Sequence, residues 1–349
     1  MNNRPHTILV TGCGSIGRRH IGNLLQLGGH KVLSHDPQAD RREHVRRTYA
    51  IDCFASFDDA LTRGVDTVFI CTPTSLHVPT VLSALRANCD VFVEKPISHS
   101  AQECAELLDV SRKCRRLVFI ACNFRFEKGM QQVRKLVQEE RIGRIFAACA
   151  EFGHYLPDWR PWQNYRDSYS AKRELGGGVL LDSYHEFDFL HWLLGPVEQV
   201  FCIERHTGLL EIETEDVALA TLTFAQGALG HVHLDYLRRP YTRQFELSGE
   251  LGTLQWDFGK SVVRHYDAAV NVWSIFEADG QRNANEMYVK EVRHFLACLD
   301  GHEQPICTLQ DAIHVQDILH AAKHSAHLGK PVRLDEVKLP ERVIANRTS

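Results

Sequence analysis

Lys95 stands between Glu94 and Pro96 at the end of an apolar, β-branched run, Val91–Glu94. A residue before proline is pushed out of helical geometry, and the X-Pro bond is the one peptide bond readily found cis, which would fix the lysine's direction. A second group follows a run of glycines: Gly176-Gly177-Gly178-Val179-Leu180-Leu181-Asp182-Ser183-Tyr184-His185-Glu186-Phe187-Asp188. If this stretch is helical, Asp182, His185 and Glu186 lie three and four residues apart on one face. A carboxylate beside an imidazole orients the ring and raises its basicity, the arrangement of a general base. Alone, the lysine reads as a surface residue and the histidine as a satisfied core residue. Their neighbours in the sequence decide otherwise.

Gly12-Cys13-Gly14-Ser15-Ile16-Gly17 fits G-x-G-x-x-G, after a predicted strand and at the start of a predicted helix. In that setting Gly12 permits a tight turn, Gly14 lets backbone approach a pyrophosphate, and Gly17 lets helix pack on strand. The N–H groups at Ser15 and Ile16 open the helix toward an anion. Asp36 closes the second strand nineteen residues beyond Gly17. A carboxylate there accepts from ribose hydroxyls and repels a 2′-phosphate, so NAD is expected and NADP disfavoured. Arg41 and Arg42 read as solvated residues of the next helix's first turn. Cys71-Thr72-Pro73, with His77 close behind, and Glu94-Lys95-Pro96 both end strands at the carboxyl edge, where open α/β sheets bind ligands.

The elements that must carry these residues are legible as a period. Strands at His6–Thr11, Lys31–His35, Val65–Cys71, Val91–Glu94 and Leu117–Ala121 have apolar centres without polar alternation. Helices at Ile16–Leu27, Arg41–Tyr49, Val78–Ala87 and Ala101–Cys114 separate them. Apolar strands joined by long crossovers mean a parallel sheet covered on both faces, a doubly wound Rossmann architecture. After Asn123 a helix at Val133–Glu140 and a long strand at Arg144–Phe152 precede an aromatic, polar segment, Gly153–Leu175. One helix over Gly178–Leu194 is expected, halted by Gly195-Pro196. Strands then meander from Val197 to Ala278, and helices near Glu286–Leu299 and Leu309–Leu328 close the chain. The fold class is α/β, a Rossmann domain at 1–123 followed by an α+β domain at 124–349 with a large, open, mostly antiparallel sheet.

Composition excludes several classes. At roughly 150 residues per domain, 349 residues predict two domains, with three as the upper bound. Forty basic against forty-four acidic side chains leave a net charge of −4, with no cationic excess for a nucleic acid. No apolar run is long enough for a membrane helix, and the N-terminus lacks a signal-peptide core. Eleven scattered cysteines without a C-x-x-C pair read as reduced thiols, so the expected location is cytoplasmic and neither a disulfide framework nor a structural zinc is expected. His231 and His233 alternate on one strand, but no ligand set with known metal spacing emerges, so no metal is expected.

Together the glycine motif, the Cys71-Thr72-Pro73 turn with His77, Glu94-Lys95-Pro96, Asn123-Phe124-Arg125-Phe126, the glycine-led helix and Gly249-Glu250-Leu251-Gly252-Thr253-Leu254 resemble the glucose–fructose oxidoreductase / inositol dehydrogenase / rhizopine-catabolism (Gfo/Idh/MocA) family over nearly the whole chain. The resemblance implies that Gly12–Gly17, Asp36, Cys71, Thr72, Pro73, His77, Glu94, Lys95 and Asn123 line an NAD site. It implies that Lys95 hydrogen-bonds a reacting hydroxyl, with His185 as base and Asp182 behind it. The family's D-x-x-x-H spacing is one residue shorter here, and a neighbouring subgroup with D-x-S-H-E-x-D is closer. That subgroup, associated with surface-polysaccharide and sialic-acid-like sugars, also resembles the 155–171 segment. There Tyr155, Trp159, Trp162, Tyr165 and Tyr169 offer flat faces to a sugar ring. Arg160 and Arg166, with Arg125 from the earlier motif, offer forks to a carboxylate or phosphate. The equal alternative is an ordered loop with Arg160 and Arg166 paired internally to Asp158 and Asp167.

The expected activity is oxidation or reduction of a secondary hydroxyl on a sugar, sugar acid or nucleotide sugar, with Lys95 and His185 converging beside the dinucleotide. Two other readings stay open: an NAD-retaining enzyme without net redox, of the glycosidase or epimerase type, and a dinucleotide-binding sensor. A homodimer or homotetramer is expected, because a large apolar sheet face usually finds a partner.

Overall fold

The computed structural model describes residues 4–98, 100–277 and 283–337. The first strands and helices are β1 (Thr7–Thr11), α1 (Ser15–Leu27), β2 (Lys31–His35), α2 (Ala39–Tyr49), β3 (Cys53–Phe54), α3 (Phe57–Leu61), β4 (Thr67–Ile70), α4 (His77–Arg86), β5 (Asp90–Glu94), α5 (Ala101–Cys114) and β6 (Val118–Ala121). Then come α6 (Lys128–Gln138), β7 (Ile145–Gly153), α7 (Leu156–Trp159), α8 (Val179–Asp182) and α9 (Tyr184–Leu194). The sheet strands β8 (Val197–Arg205), β9 (Val217–Phe224), β10 (Leu229–Asp235), β11 (Thr242–Gly249), β12 (Gly252–Asp257), β13 (Val262–Asp267) and β14 (Val272–Glu277) follow. The chain ends in α10 (Glu286–Leu299), α11 (Leu309–Leu328), β15 (Val332–Arg333) and α12 (Leu334–Val337). Among the described residues no helix is long and apolar enough to cross a membrane.

The chain packs as two compact units, Met1–Asn123 with Ala284–Ala312, and Phe124–Asn283 with Ile313–Ser349. The first holds a six-stranded sheet in the order β3-β2-β1-β4-β5-β6, parallel at every pair. Its strands are buried on both faces, as the unbroken apolar runs require. The returning helix α10 belongs here, which corrects the expectation that everything after residue 124 forms the second domain. Phe295 on α10 meets Phe69, Phe92 and Phe119 edge-on at 5.2–5.4 Å, capping three neighbouring strands. Burying such rings outweighs the chain's route in deciding where that helix settles.

The second unit holds a nine-stranded sheet in the order β14-β13-β12-β11-β7-β10-β9-β8-β15. Only β7 and β10 run parallel; the remaining pairs are antiparallel. Alternation along β9 and β11 sends one face inward, and α9 packs on β7 and β10. The single helix expected over Gly178–Leu194 is broken. Ser183 (φ −89°, ψ 34°) ends α8 and precedes α9.

Candidate active site

In the first unit the glycine loop is shaped by close approach. Gly12 has φ +88°, and a β-carbon there would lie 2.6 Å from the Cys71 carbonyl oxygen. A β-carbon on Gly17 would lie 1.9 Å from the Gly12 carbonyl oxygen, so helix and loop close only around glycine. Gly14 differs: a β-carbon there would meet nothing within 4 Å. It opens α1 without a side-chain cap, and no acidic residue occupies the first turn, where Ser15 and Ile16 stand. The first backbone N–H groups of a helix have no intrahelical acceptor, so this turn keeps donors to offer.

Asp36 is buried, and its two carboxylate oxygens accept from the Gln38 and Cys13 amides at 2.8 Å each. Arg41, expected to be solvated, lies 3.5 Å from the same carboxylate, while Arg42 donates to the carbonyls of Asp36 and Pro37. The Cys71 thiol is buried beneath the loop and pushed well above the ordinary thiol range, first by burial and then by Glu94 and Glu291.

Lys95 is half-buried at the end of β5, and its bond to Pro96 is cis. Two histidines brace this turn. His20 on α1 sets Nε2 2.8 Å from a Glu94 carboxylate oxygen. His77, only 1% exposed, sets Nδ1 2.8 Å from the Pro96 carbonyl oxygen and Nε2 2.8 Å from that of Thr72. Beneath them Glu291 of α10 is 0% exposed, and neither of its carboxylate oxygens has a hydrogen-bond partner. Burial, then Glu94 and Cys307, hold it well above the carboxylate range, which favours its protonated form. Asn123 directs its amide to the Met287 thioether at 3.4 Å.

In the second unit the three glycines are dictated by the segment before them. A β-carbon on Gly177 would strike the Tyr169 carbonyl oxygen at 2.3 Å, and one on Gly178 (φ +113°) the Glu215 carboxylate at 2.2 Å. The Gly177 and Gly178 amides donate to the carbonyls of Lys172 and Ser170, fastening the 165–172 segment to the start of α8. Asp182, at the end of α8, accepts a hydrogen bond from the Tyr236 hydroxyl at 2.5 Å and another from Tyr169. Burial and this carboxylate push both phenols well above the ordinary tyrosine range.

His185 is buried on α9, its ring 4.8 Å from that of Phe124 and stacked on Phe189 at 6.1 Å. Glu186 on the same turn accepts from Arg243 at 2.8 Å, and Arg243 lies over Phe124 and Phe152. Because the helix breaks at Ser183, Asp182, His185 and Glu186 do not share one continuous helical face, correcting the expected arrangement.

Three expected substrate ligands are committed elsewhere. Arg125 is 0% exposed and grips the equally buried Asp188 through Nη2 at 2.6 Å and Nε at 3.1 Å. That fork joins α9 to the turn before α6 and leaves the guanidinium no solvent face. Arg166 grips Glu211 with two bonds at 2.9 and 2.6 Å. The internal pairs expected with Asp158 and Asp167 give way to others: Asp158 lies 3.8 Å from Arg239, which stacks 3.4 Å over Tyr155. Trp159 donates to the His154 carbonyl and packs edge-on to Tyr236, so its ring supports the segment from inside. Arg160 lies 5.7 Å over Tyr169 and, with Leu156, Trp159, Gln163, Tyr165 and Ser168, lines a shallow recess with room for about one water. His20, Glu291 and Tyr236 escape a motif reading because each acts across a long sequence gap. The one available signal is a charged residue at a core position of α10, Glu291 between apolar Val289 and Val292.

Residues 6–122 match the profile of an oxidoreductase family with an NAD-binding Rossmann fold, GFO/IDH/MocA. Residues 130–255 match the GFO/IDH/MocA C-terminal domain. The chain is 26% identical to the scyllo-inositol 2-dehydrogenase (NAD(+)) of Bacillus subtilis over 341 residues, covering 93% of this chain and 95% of that enzyme. It is 27% identical to the 1,5-anhydro-D-fructose reductase of Ensifer adhaerens over 315 residues, 87% and 91% of the two chains. A similar solved fold is the WlbA dehydrogenase from Bordetella pertussis in complex with NADH and UDP-GlcNAcA, with a TM-score of 0.80 and 23% identity over 95% of this chain and 99% of that one. With both profiles met in order along one chain, this protein belongs to the GFO/IDH/MocA family of NAD-binding oxidoreductases.

Proposed function

We propose that this chain is an NAD-dependent dehydrogenase acting on a secondary hydroxyl of a sugar, sugar acid or nucleotide sugar. The observation that carries the reading is the bracing of Lys95. It sits at a sheet edge in a turn fixed from both sides by His77 and by the His20–Glu94 pair. A surface lysine needs no such frame.

The chain's own residues fit the dinucleotide. Gly14 leaves open the space beside the uncapped start of α1, where a pyrophosphate accepts from backbone N–H groups. Each Asp36 oxygen already takes one backbone donor and keeps capacity for a ribose hydroxyl. NAD, when bound, supplies the hydride acceptor or donor. Thr72, Pro73 and Asn123 would line the same edge of the sheet.

Lys95 donates a hydrogen bond to the reacting oxygen and favours its deprotonated form. His185 takes the hydroxyl proton, with Asp182 holding its charge in the same part of the second unit. Arg160, rather than Arg125 or Arg166, receives an acidic group of the substrate, because those two forks are filled by Asp188 and Glu211. Ile203, Leu219 and Leu229 share the outer face of the nine-stranded sheet, and covering that face makes a homo-oligomer the working form.

The test is a panel of polyols, sugar acids and nucleotide sugars, screened for NADH formation with Lys95→Met as control. Acid–base assistance contributes about 10²–10⁴-fold. Lys95→Met should keep NAD affinity and lose at least about a hundredfold in turnover. A variant that turns over like the parent defeats the assignment. A panel in which acids show no advantage over neutral polyols removes the role given to Arg160.

A further inference from the structure

His77 places its two ring nitrogens 2.8 Å from two backbone carbonyl oxygens, those of Pro96 and Thr72. Both partners are acceptors and neither can donate. A neutral imidazole carries one N–H and one lone pair. In either tautomer, one carbonyl would therefore face a bare nitrogen at hydrogen-bonding distance with no proton between them. Only the doubly protonated ring satisfies both contacts. The ring is buried and cannot turn to water for relief.

The two carbonyls belong to different turns. Thr72 follows β4 and Pro96 follows β5, neighbouring strands in register at Ile70 and Val93. Among the described residues, the charged groups acting on the ring are Glu94 and Lys95. Burial draws the histidine's pKa below its ordinary value, Lys95 adds to that, and the two carbonyls and Glu94 oppose it. Losing the proton would leave a buried ring nitrogen and a carbonyl oxygen 2.8 Å apart, lone pair facing lone pair, which opposes the burial effect.

We propose that His77 is held as a buried imidazolium that clamps the Thr72 and Pro96 turns together and sets a fixed positive charge beside Lys95. Its charge follows from geometry alone; its consequence rests on the role proposed for Lys95. A like charge nearby makes an ammonium easier to deprotonate, bringing proton exchange at Lys95 closer to neutral pH. His77 is then a positioning residue with an electrostatic effect.

Nitrogen-15 NMR of the full, unsubstituted chain decides the charge, with the His77 ring assigned through bonds from its own backbone. Two slowly exchanging N–H protons and no bare ring nitrogen near neutral pH are expected. A bare nitrogen overturns the proposal, whatever the protein does with any sugar. The second readout is His77→Gln, which keeps one donor and removes the charge. The limb of the kcat/KM–pH profile that Lys95→Met abolishes should move about one unit toward alkaline pH. A limb that stays in place overturns the electrostatic effect. Failure of the dehydrogenase reading is separable: Lys95→Met would then leave turnover unchanged while the NMR signature of His77 persisted.

Discussion

The Tyr236 hydroxyl donates to the Asp182 carboxylate at 2.5 Å, joining the end of β10 to the end of α8 within the second unit. Both groups are buried, and Tyr169 brings a second phenol to the same carboxylate. Asp182 is thereby an acceptor with two fixed donors. Both donors are neutral phenols, held in place by burial. Tyr236→Phe removes one donor and leaves a buried carboxylate short of a bond, a loss of about 1–3 kcal/mol. Urea unfolding of that variant should show a loss in this range. Turnover should fall less than in Asp182→Asn, which removes the charge itself. Equal stability of Tyr236→Phe and the parent would mean that the phenol does not serve the carboxylate.

Glu291 gives a stability prediction whose sign is fixed by its burial. Its folded pKa is raised well above the ordinary glutamate value of 4.5, so between the two values the folded chain binds a proton that the unfolded chain has released. Stability from this site is full below the unfolded value and declines as pH rises from there toward the higher folded value. The slope is about 1.36 kcal/mol per pH unit in that window. Glu291→Gln is neutral at every pH and escapes the decline. The variant should match the parent near pH 4.5, then grow progressively more stable relative to it as the buffer becomes alkaline. Melting curves across that range test this. Parallel curves would show Glu291 to be ionised in the folded protein.

Much of the first unit was legible because its signals are local. Gly12, Gly14 and Gly17 answer to one turn, and the strand period around Val68, Val91 and Phe119 needs no distant partner. Lys95 stood out through its proline. The site residues that sequence missed are defined by contacts over long gaps: His20 with Glu94, Tyr236 with Asp182, and α10 returning to the Rossmann sheet. Arg125 and Arg166 misled for the same reason, since a guanidinium looks alike in the sequence whether its fork is open or already filled. The break at Ser183 was hidden because Gly178–Leu194 is buried on nearly every side, its polar residues included. Periodicity then says nothing about where one helix ends and the next begins.

The outer sheet face makes a separate prediction. Ile203 and Leu219 are cross-strand partners on β8 and β9, exposed by 45% and 39%, and Leu229 lies on the same side of β10. Ile203→Glu puts a charge beside Leu219 on that face without disturbing the buried one. Light scattering should report an oligomeric parent and a lighter, still folded variant. A monomeric parent would remove the assembly argument altogether.

Cofactor choice turns on Asp36 and Arg41. The carboxylate holds the Cys13 and Gln38 amides and lies 3.5 Å from the Arg41 guanidinium. As long as Asp36 is present, its charge neutralises Arg41 and repels a 2′-phosphate. Asp36→Ser removes the repulsion, keeps a short acceptor for the ribose, and releases Arg41 to face the added phosphate. NAD affinity should fall at least about tenfold, since a charge-assisted hydrogen bond is worth about 1.5–3 kcal/mol. NADP affinity should rise over the same substitution, and Arg41→Ala in that background should cancel the rise. Fluorescence titration with each reduced dinucleotide measures both changes without requiring the substrate to be known. A variant that loses NAD and gains nothing for NADP would show that Asp36 shapes the loop through Cys13 and Gln38 and has no part in discrimination.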